Sequence, residues 1–236
     1  MTNYLENIDW GYIEGNTKKL FEEEFSNGSV YEKFNEVKEG DIVVDVGSSI
    51  GVFAKTILQK KPKHIFCIEP SKNLFPTLVK NTIGYPVTQI NKFVAYDNSY
   101  SKQNDNVYYN DDYFVENIKF STFLNLYGIN KINFLKLDCE GGEYSIFNDD
   151  NIEFLLKNVD YIVGEWHFYT KEEKNLFKNF RDKYLIRFKN YKVYSHDMVD
   201  ITWSLFFDEP YDSINQKGLQ PFIEYYYTVI IYIDNR

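Results

Sequence analysis

Two short acidic groups carry the residue types that acid–base chemistry needs. Asp138 and Glu140 follow an apolar run at 132–137, and Glu165 and His167 follow another at 161–163. An imidazole titrates close to neutrality, so His167 is the best single candidate for a general base, with Asp138 and Glu165 as its carboxylate partners. The same three residues, Asp138, Glu165 and His167, also offer two oxygens and one nitrogen to a divalent ion, Mg or Mn, with positions left open for a substrate diol. Plainer roles stand beside these. Glu140 and Glu143 suit the first turn of a following helix, where negative charge is favourable. A hydrogen bond between His167 and Glu165, or a cofactor contact from Asp138, needs no metal. His64 opens a strand and reads as a surface residue, and His196 is a weaker candidate for substrate contact. Cys67 and Cys139 sit in apolar runs rather than in a CxxC pair and read as buried, reduced thiols; no nucleophile triad is visible around them.

These groups act together only if the fold brings them to one edge of a sheet, and the chain predicts such a sheet. The run 42–46 is a buried parallel strand that contains Asp45 and ends at the turn Gly47-Ser48-Ser49-Ile50-Gly51, with a helix from there to about residue 60. A second strand, 64–68, stops at Glu69-Pro70; Ser71 caps a helix to about 81, and 87–95 is a third strand. Residues 98–112 read as a polar loop with a short strand at 107–109. A helix around 122–127 leads to the fourth strand, 132–137, and Gly141-Gly142 turns into a helix to about 157. The fifth strand is 161–163, running into Gly164-Glu165-Trp166-His167. A helix at 171–183 and long strand-like runs at 185–194 with 202–207, and at 223–233, finish the chain. Strands alternating with helices, then closing strands, give a doubly wound, mostly parallel, Rossmann-like α/β sheet with an antiparallel edge strand.

The first turn narrows the choice of cofactor. Gly47 and Gly51 are spaced G-x-x-x-G, which fits neither the dinucleotide fingerprint nor the phosphate loop. A turn of this kind brings backbone N–H groups up to a ligand, and its glycines let the chain pass close by. Asp45 can orient the loop or reach an ammonium, and Glu69 can accept two hydrogen bonds from ribose hydroxyls. Together these features favour S-adenosylmethionine over NAD. The cofactor-side candidates are Asp45, Gly47, Ser48, Ser49, Gly51, Glu69, Pro70, Ala95 and Asp138.

The chain has 236 residues and a net charge of −9, with 44% hydrophobic content, 21 tyrosines and 20 phenylalanines. That length suits a single domain, with 1–39 as a helical cap or lid and 40–236 as the catalytic sheet. The acidic balance argues against a large phosphate-backbone footprint, so nucleic acid is a weak partner candidate. No apolar run has the length of a membrane span, and the first residues lack the pattern of a signal peptide, which together predict a cytoplasmic protein.

Residues 31–34 with Gly40-Asp41-Ile42-Val43-Val44-Asp45-Val46-Gly47, then Ile68-Glu69-Pro70-Ser71, Leu135-Lys136-Leu137-Asp138-Cys139-Glu140-Gly141-Gly142-Glu143 and Glu165-Trp166-His167, closely resemble the FkbM-type S-adenosylmethionine-dependent methyltransferases. The motifs stand in the right order over roughly 31–168, and the Lys-x-Asp-x-Glu-Gly-x-Glu block is the specific part. Ser48-Ser49 departs from the Ala-Asn common in such proteins. The resemblance implies a class I methyltransferase sheet in which the fourth and fifth strands are neighbours. It also implies methylation of a hydroxyl on a sugar, glycan or other small molecule. The alternatives are an NAD(P)-dependent oxidoreductase, which lacks its middle glycine and a Tyr-x-x-x-Lys pair here, and a non-catalytic cofactor-binding module on the same sheet. The acceptor pocket falls to 1–39, 98–117 and 195–221.

Overall fold

In chain order the strands are β1 (Ile42–Val46), β2 (His64–Ile68), β3 (Val87–Ile90), β4 (Phe93–Val94), β5 (Tyr100–Asp105), β6 (Asp111–Ile118), β7 (Ile132–Leu137), β8 (Val159–His167), β9 (Asn190–Tyr194), β10 (Tyr211–Ser213), β11 (Gln216–Leu219) and β12 (Thr228–Asp234). The helices are α1 (Val30–Lys33), α2 (Val52–Ile57), α3 (Phe75–Thr82), α4 (Phe120–Leu126), α5 (Glu143–Ile146), α6 (Ile152–Asn158), α7 (Lys171–Asn179) and α8 (Phe222–Tyr225). The structure is a computed structural model and describes residues 8–11, 13, 18, 30–105, 111–206, 211–213, 216–219 and 222–236.

The main sheet has the order β3-β2-β1-β7-β8-β12-β9. Neighbours from β3 to β8 pair in parallel, and β12 runs antiparallel to both β8 and β9. It is the mostly parallel, doubly wound α/β sheet of the class I methyltransferase type, closed by antiparallel pairings at one edge. Strand order reverses between β1 and β7, and open α/β sheets bind ligands beyond the carboxyl ends of the strands at such a point.

Period-two alternation gives the sheet two faces. Val44, Val46, Leu135, Leu137, Ile162 and Trp166 pack on one side with Phe120, Phe123, Phe177 and Phe180. Val43, Ile65, Phe134, Tyr161 and Val163 pack on the other with Tyr31, Phe34, Phe53 and Ile57. On this second face the register sets Asp45 opposite Cys67 of β2 and Lys136 of β7, and Lys136 opposite Val163 of β8. Two residues further along the same strands come Glu69, Gly47, Asp138 and Glu165. One face therefore passes from an apolar floor to a polar row at its carboxyl edge.

Several expected boundaries shift for local reasons. The third strand ends at Ile90 rather than 95, because the Asn91 side-chain amide donates to the Glu69 carbonyl at 2.8 Å and turns the chain. Phe93–Val94 joins a second sheet, β4-β6-β5, instead. The expected polar loop at 98–112 is half a hairpin, with Tyr100 opposite Glu116 and Asp105 opposite Asp111; the strand expected at 107–109 lies outside the described residues. The helix expected to 157 breaks between α5 and α6. There Asn148 Oδ1 accepts from the amides of Asp150 and Asn151, and the Asn151 side chain donates to the Ile146 carbonyl. The helix expected at 171–183 stops being α-helical at Asn179 and continues as a π turn over Phe180–Tyr184. Of the closing runs, Leu185–Arg187 and Thr202–Ser204 are 3-10 turns, and α8 occupies the start of 223–233.

Within the segment expected to form a cap, Ile8 and Ile13 pack on Ile50, Val52 and Leu74 beside the first turn. Asp9 and Asn81 exchange hydrogen bonds at 2.8 and 2.9 Å. Most of the remaining expected cap lies outside the described residues. No helix among the described residues is long and apolar enough to cross a membrane.

Candidate active site

Gly47 sits at φ +81°, and a Cβ there would fall 1.6 Å from the carbonyl oxygen of Asp138. The turn after β1 thus lies flat against the exit of β7, where the Asp138 amide donates to the Val46 carbonyl at 3.0 Å. The expectation that this turn presents its N–H groups to a ligand is corrected by their partners. Gly47 and Ser48 both donate to the Ile68 carbonyl, Ser49 to Glu69 Oε2 at 2.7 Å, and Gly51 to the Ser48 carbonyl. The turn offers close approach and shape, with those four amides spent internally. Ser48 is buried, its hydroxyl donating to the Asp45 carbonyl at 2.8 Å, and Ser49 takes the left-handed conformation at φ +49°.

Asp45 pairs with an ammonium of the protein itself. It is fully buried, and its Oδ1 lies 3.1 Å from Nζ of Lys136, itself buried. Burial pushes the Asp45 carboxyl up, and the lysine opposes that shift. The Lys136 ammonium also donates to the Gly47 carbonyl at 3.0 Å, stands 3.8 Å from Asp138 Oδ2, and lies 5.0 Å from the centre of the Tyr31 ring. Lys136 thus ties β1, the first turn and the β7 exit together. Reading the sequence for active groups missed this role. A lysine inside Phe134-Leu135-Lys136-Leu137 was the available signal, since a buried ammonium needs a paired charge.

Glu69 directly follows the second strand, as expected, and is buried. Its Oε2 accepts from the Ser49 amide and its Oε1 from the Ser71 amide, both at 2.7 Å. Burial raises the carboxyl to about 7, against the lowering effect of those two amides. Each oxygen keeps a second lone pair, so the residue can hold both loops and still accept from a ribose diol. The site fits an adenosyl cofactor on that observation. Pro70 follows, its carbonyl bonded to Asn91. Ala95 follows β4 and donates to the Ile118 carbonyl, so the second sheet places it rather than β3.

The acidic groups meet across β7 and β8 as expected. His167 is buried, with Nδ1 3.5 Å from Glu143 Oε1 and Nε2 3.7 Å from both Glu140 Oε2 and Glu165 Oε2. Burial disfavours the imidazolium, but Glu143, Glu140 and Asp138 outweigh it and raise the ring to about 9. These carboxylates favour the protonated ring, a proton that a base or a metal ligand at this position has to release. Glu143 does more than cap a helix. It is fully buried, and it accepts from the amides of Cys139 at 2.9 Å and Gly141 at 2.8 Å while facing His167. Glu140 sits at φ +51°, a left-handed turn that aims its largely exposed side chain back at the imidazole.

The expected metal set is altered. Ligand atoms of Asp138, Glu140 and His167 all lie within 4.8 Å of one another, and Glu140 stands where Glu165 was expected. Glu165 instead faces His167 and, at 3.9 Å, the exposed His196. His64 is bonded to Thr88 at 2.8 Å, away from these groups. Burial pushes both thiols well above their ordinary range and disfavours the reactive thiolate; Cys67 is buried as expected, whereas Cys139 is only half-buried.

The methyltransferase FkbM domain matches residues 45–193. Among solved structures, an rRNA methylase from Streptococcus thermophilus is 10% identical over 87% of this chain and 94% of its own, with a TM-score of 0.47. TrmK of M. capricolum, solved with S-adenosyl-homocysteine, is 10% identical over 88% of this chain and 67% of its own, with a TM-score of 0.45. The fibrillarin/Nop5p complex contributes a chain 15% identical over 84% of this one and 74% of its own, at 0.48. No curated protein matches the chain.

Proposed function

The chain belongs to the methyltransferase FkbM family, and from that footing we propose an S-adenosylmethionine-dependent O-methyltransferase whose acceptor is a hydroxyl of a small molecule, a sugar or glycan by preference. The observation that supports this best is one row of side chains across the carboxyl edge. Glu69 stands at one end, the Gly47 turn lies in the middle, and Asp138 and Glu165 stand at the other end on the same face. A cofactor seated on the Gly47 turn, with its ribose toward Glu69, directs its other end to the acidic groups.

Bound there, S-adenosylmethionine supplies an electrophilic methyl group on a sulfonium. The protein must bring an alcohol oxygen in line with it and remove the alcohol proton as the new bond forms. Asp138, partly exposed and abutting the turn, faces the cofactor side; Glu165 is the carboxylate on the acceptor side. His167 stands beside them, its Nε2 3.7 Å from Oε2 of both Glu140 and Glu165. A net charge of −9 supports a small acceptor over a phosphate backbone.

Calorimetry with S-adenosylmethionine tests the cofactor, and label transfer from methyl-labelled cofactor to nucleotide sugars, glycans, small alcohols and RNA tests the acceptor. The expected results are cofactor binding and label on a sugar hydroxyl. Absence of cofactor binding sinks the whole reading, and label on RNA alone sinks the acceptor class. His167→Ala is expected to bind cofactor as the wild type does and to turn over more slowly; unchanged turnover removes His167 from the site.

A further inference from the structure

His167 enters the acidic cluster from a buried position, and its Nδ1 makes no hydrogen bond. That nitrogen faces Glu143 at 3.5 Å, while Nε2 is aimed at the carboxylates of Glu140 and Glu165. We propose that Asp138, Glu140 and His167 form a divalent-cation site best suited to Mn2+. The site's use in catalysis rests on the methyltransferase reading; its existence does not.

Spacing supports it. Ligands about 2.1 Å from an ion stand roughly 3 Å apart when adjacent and about 4.2 Å apart when opposite. The three ligand atoms lie within 4.8 Å of each other, and Nε2 to Glu140 Oε2 is 3.7 Å. Only a small closure is needed, and the exposed Glu140 side chain is free to make it. Orientation supports it as well. An imidazole that binds a metal through one nitrogen is commonly held by a carboxylate at the other. Glu143 fits that holding role, because the amides of Cys139 and Gly141 fix its carboxylate.

Charge points the same way. Asp138, Glu140, Glu143 and Glu165 surround one imidazole, and the nearby cation, Lys136, is engaged by Asp45 and the Gly47 carbonyl. Two carboxylates with one imidazole suit Mn2+, whereas Mg2+ favours oxygen donors throughout. A cation at this point lies beside the turn where Asp138 meets Gly47, and it would make a substrate hydroxyl more acidic. Glu165, outside the ligand set, then remains beside it to take the proton.

Mn2+ binding to the full chain without cofactor, followed by loss of the free Mn2+ resonance signal, reads the site directly. One ion per chain is expected, with a dissociation constant below about 1 mM. Glu140→Gln and Asp138→Asn should each weaken binding about tenfold or more, and Glu165→Gln less than about threefold. Failure of the wild type to bind, or a larger loss in Glu165→Gln than in Glu140→Gln, overturns the proposal. Because Glu140 is exposed, Glu140→Gln should fold even if a buried variant does not. Cofactor calorimetry on the same samples separates the two readings. Cofactor binding without Mn2+ binding removes the cation site and leaves the methyltransferase reading intact.

Discussion

Glu69 has to join two loops and receive a ligand, and those duties pull its proton in opposite directions. Burial raises its carboxyl from 4.5 to about 7, so between those values the folded chain keeps a proton that the unfolded chain gives up. The sign follows from that difference: stability falls as pH rises from 4.5 to about 7 and is level above, by up to about 3 kcal/mol. Ribose hydroxyls donate to the charged form, so cofactor affinity should rise over the same window. Glu69→Gln cannot titrate. Its unfolding free energy should lack the wild type's fall between pH 5 and 7, and its cofactor affinity should be weaker and nearly flat with pH. Parallel slopes in the two proteins would show that Glu69 does not carry the effect. Differencing the two removes the contribution of His167, whose raised value adds stability that fades as pH climbs toward 9. The placement of Glu69 and Asp138 at strand ends was legible because an acidic group directly follows an apolar run in each case. The partner of Asp45 was not legible, because spacing along the sequence does not show that Lys136 lies directly across from it.

Two glycines separate conformational strain from close packing at the level of the turn. Gly47 and Gly40 both have φ above +80°, but only Gly47 meets anything. A Cβ on Gly40 has nothing within 4 Å, whereas one on Gly47 strikes the Asp138 carbonyl. Gly40→Ala should therefore cost about 1–2 kcal/mol from the backbone alone. Gly47→Ala should cost about 3 kcal/mol or more and also weaken cofactor binding, since the exits of β1 and β7 must part. Urea unfolding with unchanged slope measures both, and equal losses would mean that the close approach carries no weight. The same contrast explains which elements could be read. The span of β7 emerged unchanged because Ile132, Phe134, Leu135 and Leu137 mark it as apolar and an acidic residue follows it. The hairpin of β5 and β6 was obscured because stretches such as Lys102-Gln103-Asn104-Asp105 carry no apolar face to alternate. The split between α5 and α6 depends on asparagine side chains bonding to the backbone, which hydrophobic pattern does not register.

At the scale of the molecule the strand placed last in the sequence is interior to the sheet. Between β8 and β9, β12 buries Val229, Ile230, Ile231 and Ile233 completely and pairs with β8 from Tyr161 to His167. Local pattern showed an apolar run here, but not its position, because pairing partners far apart in sequence leave no mark on the run itself. Full burial of four such side chains is worth roughly 8 kcal/mol. That is as large as the net stability of an ordinary domain, about 5–15 kcal/mol. A chain ending at Tyr227 keeps Glu69, the Gly47 turn, Asp138 and His167, yet it leaves β8 with an open apolar edge. It should therefore aggregate or remain unfolded, and bind no cofactor, although no proposed ligand contact has been removed. Circular dichroism and the soluble fraction on expression check this. A truncated chain that stayed soluble and bound S-adenosylmethionine would show that β1, β2, β7 and β8 hold the row of site residues without β12. If it fails as expected, the acidic cluster owes its geometry to the far side of the sheet. His167 lies at the end of β8 opposite Thr228, so β12 fixes the backbone from which the imidazole projects.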